Sequence, residues 1–170
     1  ESSSSIMPAN GIRSHQTVSD YFFVQGGVMF TPTLVMKKEL ARLILFNPNL
    51  RRHQDYDFLL RCEQMAPHFF FINKPNVIVH WENNDTKLKG GTWDFSLNFA
   101  ISHKKHFTSK AYNRFILKFV VLPSLSERKI SRSLKIFMIY IQPFKLSLLN
   151  YYFVLSYLFF GEFRHPYKWK

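Results

Sequence analysis

The sequence has a single cysteine, Cys62, so no intrachain disulfide can form, and this usage fits a reducing compartment. No Cys/His spacing suits a structural zinc site. The N-terminal stretch ESSSSIMPANGIRSHQ is polar and lacks the apolar core of a secretory signal. The chain also starts without Met, so a fragment or processed piece is expected. No internal repeat is visible. Acidic residues are scarce, with 11 Asp and Glu against 23 Lys and Arg, a net charge of +12. Such an excess calls for a partner of negative character: nucleic acid, anionic lipid head groups or the phosphates of a nucleotide-sugar.

What is present is apolar and aromatic. The 170 residues are 46% hydrophobic and include 19 Phe and 8 Tyr, too apolar for a disordered chain. The length allows one domain with a real core, or a small domain with an appendage. Residues 1–20 read as loop, with four serines, Pro8 and the Asn10-Gly11 turn signal. Residues 21–24 and 28–30 read as short strands separated by Gly26 and Gly27, which form either a bulge or the floor of a binding site. Thr31 as N-cap and Pro32 at the first helical position predict a helix that runs until Asn47-Pro48. Residues 68–72 (HFFFI) and 76–81 (NVIVHW) read as two further strands. Residues 82–91 read as a polar loop. A helix is expected from Thr92 through Ile101, and another from about Ser109 to Leu122. The order is a mixed α/β pattern, with a change of character at Pro123.

The segment RRHQDYDFLLR, residues 51–61, places two acids at a helix start where one suffices. Asp55 stands at the N-cap position, and Phe58, Leu59, Cys62 and Met65 share one helical face. Asp57 and Arg61, four apart, can pair on the opposite face. A plain cap accounts for Asp55, and so does a positioned catalytic base.

Taken in order, the segment from Val24 to Met65 resembles family 2 glycosyltransferases of the GT-A fold. A small-residue turn is followed by a helix, by Phe46-Asn47-Pro48-Asn49-Leu50, and then by Gln54-Asp55-Tyr56-Asp57-x-x-x-Arg61. The resemblance covers residues 21–81, with a weaker continuation to 107. It implies an α/β, partial GT-A fold over residues 21–122 and inverting transfer of a sugar from a nucleotide-sugar to an acceptor hydroxyl. Asp55 is then the general base, and Gly26, Gly27, Gln54, Asp57, Arg61 and Trp81 bind the acceptor or support the site. The family has Glu where this chain has Gln54. Asp55-Tyr56-Asp57 is not the family's metal-binding D-x-D, which ends a buried strand, and no other D-x-D exists here. The donor-binding half is therefore expected to be missing, and the chain alone incomplete as a catalyst. A divalent Mn or Mg ion is expected in the complete enzyme, with His80 as a candidate ligand or a satisfied strand-end histidine. Trp81 and Trp93 stack on a sugar face or pack in the core.

Residues 123–170 carry eight Lys and Arg against two Glu, with apolar runs at 134–141 and 146–160. Neither run reaches the roughly 20 residues of a spanning helix. A basic helical tail lying at an anionic membrane surface is expected, or helices that cover the core. The expected site of action is the inner face of the cytoplasmic membrane, with a lipid-linked or glycan acceptor. A noncatalytic module binding membrane or nucleic acid fits the charge, but no nucleic-acid signature appears, and no nucleic-acid partner is expected. Neither rival explains residues 54–61.

Overall fold

Thr17 decides the first element. Its side chain accepts from the Asp20 amide, and Val18, Tyr21 and Phe22 follow at helical spacing on a buried face, so α1 spans Val18–Phe23. The computed structural model to which this helix belongs describes residues 6–65, 68–80, 92–127, 129–141 and 151. It divides into two units, Glu1–Gly90 and Gly91–Lys170.

In the first unit, α1 corrects the strand expected at 21–24. Three consecutive aromatics favour a strand locally, but the cap and the burial of the helical face prevail. Beyond α1 the chain turns at Gly26, whose φ of +76° suits glycine. The Gly27 amide donates to the Tyr21 carbonyl at 2.8 Å. A Cβ on Gly27 would meet the Tyr21 ring at 2.3 Å, so the ring lies against bare backbone. The helix expected from Thr31 is also revised. Thr31–Thr33 is one 3-10 turn, Leu34 is extended, and α2 spans only Lys38–Ile44. It ends at Leu45, with φ +50°, ahead of Asn47-Pro48.

Helix α3, Gln54–Met65, is the spine of this unit. It buries Asp57, Phe58, Leu59, Leu60 and Cys62. The rings of Phe22 and Phe23 each lie 4.9 Å from Tyr56, and Phe46 stacks on Phe58 at 4.3 Å. Glu63 reaches back from α3 to accept the Val18 amide at 2.8 Å, satisfying an orphan donor at the start of α1.

Burial pushes the Glu63 carboxyl above its ordinary value of 4.5; the Val18 amide opposes this and Asp20 adds to it. The native state therefore binds the Glu63 proton more tightly than the unfolded chain does. The associated stability is present below the unfolded value and is lost as pH rises through the native one. Glu63→Gln keeps an acceptor for Val18 and removes the ionisation. It is expected to be more stable than the wild type near neutral pH and to flatten this part of the pH profile, measured as denaturant midpoint against pH.

The strands expected at 68–72 and 76–81 do not form over the described residues 68–80. Both segments are aromatic or β-branched, yet Phe70 is 91% and Ile78 83% exposed. A strand needs a partner for its amides and carbonyls, and the described residues contain neither strand nor sheet. The α/β, partial GT-A architecture is overturned on that ground: the described chain is helical. Unpaired apolar segments invite association, so Phe70→Lys with Ile78→Lys should lower light scattering on concentration. Because both sites are exposed, unfolding free energy should stay within about 0.5 kcal/mol.

The second unit is a helical array. It comprises α4, Trp93–Ser102; a 3-10 turn, Lys104–His106; α5, Ser109–Ile116; a π-helical stretch, Leu117–Val121; α6, Leu122–Ser126; and α7, Ile130–Tyr140. Thr108 caps α5 by accepting from the Ala111 amide. The core gathers Phe99, Phe107, Phe115 and Phe119, with ring centroids 4.8–5.5 Å from Phe115. Buried Ser124 and Ser133 share a 2.6 Å hydrogen bond that ties α6 to α7. The helices expected after Thr92 and Ser109 are present, and the first apolar run of the tail is α7. Tyr151 lies edge-on to Phe137 at 6.5 Å. The rest of the second run, 146–160, lies outside the described residues. No described helix is long and apolar enough to cross a membrane.

Candidate functional site

His53 sets the start of α3. It adopts φ +65°, a left-handed conformation that reverses the chain, and its carbonyl accepts from the Asp57 amide at 2.9 Å. The cap position therefore belongs to His53, and Asp55 lies inside the first turn. The His53 ring is buried and stacks on Tyr56, with centroids 5.6 Å apart.

This two-residue shift places both carboxylates within the first turn of α3. Residues two apart on a helix point about 200° from each other, so one faces solvent and the other the core. Asp55 is the outward one. It is half-buried, and the exposed Thr31 hydroxyl donates to its Oδ1. Its Oδ2 has no hydrogen-bond partner among the described residues. Pro32 and the 3-10 turn hold Thr31 in place, with Thr33 Oγ1 donating to the Phe30 carbonyl at 2.7 Å. Burial pushes the neighbouring Tyr56 hydroxyl up, Arg52 opposes this, and the Asp55 charge adds to it, so Arg52, Tyr56 and Asp55 share one electrostatic neighbourhood.

Asp57 is the inward carboxylate, 2% exposed. Its Oδ2 accepts from Arg61 Nε at 3.1 Å and from Nη2 at 2.6 Å. Arg61 also donates to the carbonyls of Ile44 and Leu45, the latter at 2.7 Å. A guanidinium at the C-terminal end of α2 satisfies carbonyls that have no intrahelical donor. Asp57 and Arg61 thus join α2 to α3. Gln54 is exposed and donates to the Leu50 carbonyl. Gly26 and Gly27 close the end of α1 as described above.

His80 is exposed in the extended segment. Among the described residues no three His, Cys, Asp or Glu side chains gather to hold a metal ion; residues 81–91, which follow His80, lie outside the described residues. Trp81 lies outside the described residues. Trp93 is half-buried, its indole N–H donates to Glu127 at 3.1 Å, and Lys129 and Arg132 lie over its ring at 5.6 and 5.7 Å. These contacts connect α4 with the residues before and at the start of α7. The sequence reading gave Thr31 a different role, as a helix cap. Nothing local links it to a carboxylate 24 positions away.

No protein-family model and no solved structure matches the chain. The chain is similar to the amylovoran biosynthesis glycosyltransferase AmsB of Erwinia amylovora, 30% identical over 106 residues. The match covers 62% of this chain and 35% of the relative, so the chain spans about a third of that protein's length. The chain is thereby related to a glycosyltransferase.

Proposed function

We propose that this chain carries the acceptor-activating part of an inverting, family 2-type glycosyltransferase. The reaction moves a sugar from a nucleotide-sugar to an acceptor hydroxyl, on a lipid-linked or other glycan, during exopolysaccharide assembly at the inner face of the cytoplasmic membrane. Asp55 carries the reading. It is a solvent-facing carboxylate with one oxygen held by Thr31, in a chain related to a glycosyltransferase. As the acceptor oxygen bonds to the anomeric carbon, Asp55 Oδ2 takes the hydroxyl proton. The bond to the nucleoside diphosphate breaks on the opposite face, and the configuration inverts. The amides of the first turn of α3 favour negative charge near the carboxylate. We assign no metal ligand and no donor-binding residue to the described chain.

The test exchanges the 106 aligned residues into the Erwinia relative and measures sugar transfer. Transfer by the exchanged protein supports the reading. A folded exchange protein that binds nucleotide-sugar and transfers nothing would overturn it.

A further inference from the structure

We propose that the outer face of α7 docks on an anionic lipid bilayer. Ile130, Leu134 and Met138 follow one another at a spacing of four and are 50%, 42% and 72% exposed; Ile139 is 60% exposed. Ser133, Ile136 and Phe137 of the same helix are buried. The Ser124–Ser133 hydrogen bond fixes the rotation of the helix, so the apolar stripe faces outward by construction.

Charge selects the occupant. Helix α7 contains Arg132 and Lys135 and no acidic residue, and Lys129 stands at its start. Lys129 pairs with Glu127 at 2.6 Å, and Lys129 and Arg132 both lie over Trp93. On the helical wheel the exposed Lys135 and Arg132 flank Ile139, and Lys135 falls between it and Met138; exposed apolar and cationic side chains on one arc match the boundary between anionic head groups and acyl chains. A second copy of this chain would bring the same positive charge to the contact. Eleven residues rise only about 16 Å, half the hydrocarbon thickness, so α7 lies in the interface and does not span it. The proposal does not depend on the transferase reading.

Co-sedimentation of the full chain with vesicles tests it. The chain is expected to pellet with vesicles of equal parts phosphatidylcholine and phosphatidylglycerol, to stay in solution with phosphatidylcholine alone, and to be released by high salt. Leu134→Gln with Met138→Gln changes exposed positions, so its circular dichroism and melting should match the wild type. Its partitioning should fall at least about tenfold. Lys135→Glu should weaken partitioning to the anionic vesicles by about fivefold or more. Wild-type sedimentation by both variants overturns the proposal. So does a chain that ignores vesicles but elutes as a dimer dissolved by the double substitution.

Discussion

Asp55→Asn, placed in the Erwinia transferase carrying this chain's segment, lowers turnover by about 10²–10⁴ while donor binding is retained. The expected size follows from what the substitution removes. Asn fills the same volume, and its amide oxygen still accepts from Thr31, so the local geometry at the start of α3 survives. What is lost is an oxygen able to accept a proton as the glycosidic bond forms. Asp55 is half-buried at the surface of its unit, so stability should change by no more than about 0.5 kcal/mol. A large rate loss at constant stability, with nucleotide-sugar affinity unchanged, marks a group that acts in the transition state and not in ground-state binding. Single-turnover transfer and a parallel binding isotherm separate the two quantities. Normal turnover in Asp55→Asn would remove the base from this position.

The two carboxylates show how far sequence reasoning reaches. Their identity, their place at a helix start and the Asp57–Arg61 spacing are all local, and all were legible. Which one faces solvent is not local. It depends on the side of α3 that receives α1 and α2, and on the left-handed turn at His53 that moves the cap by two residues. The same distinction sorts the helices. Helices α3 and α4 carry their own apolar period or capping residue, and the sequence placed them close to their observed ends, whereas the helix expected at 109–122 is α5 followed by a π-helical stretch and α7 starts four residues before the apolar run at 134. Helix α1 did not stand out, because Tyr21, Phe22 and Phe23 are strong strand formers whose helical state is fixed by Thr17 and by Glu63, which is 45 positions from Val18. Residues 68–80 are the converse case. Their strand preference is real, but a sheet exists only where a second strand supplies the ladder, and the described residues supply none. Resemblance in motif order carried the transferase reading, whereas the expected sheet depended on pairings that no single segment encodes.

Asp57→Asn gives the opposite signature: a large loss of stability with turnover per folded molecule little changed. Asp57 is 2% exposed and holds both the Nε and Nη2 groups of Arg61 on one oxygen. Removing its charge leaves a guanidinium half inside the protein without a counter-ion, and loosens the donors that Arg61 offers to Ile44 and Leu45 at the end of α2. Breaking a buried ion pair costs about 3–5 kcal/mol. The Arg61 side chain is 31% exposed, so water recovers part of that, and about 2–3 kcal/mol is expected. Arg61→Lys should also destabilise, because one ammonium cannot span the carboxylate and two carbonyls at once. Replacing the pair together, Asp57→Leu with Arg61→Met, should recover much of the loss, since no charge is then left unpaired. Equilibrium denaturation of the full chain measures all three, with the midpoint falling in the single variants and the slope unchanged. If Asp57→Asn unfolds at the wild-type midpoint and yet abolishes transfer, Asp57 meets the acceptor and the two carboxylates exchange roles.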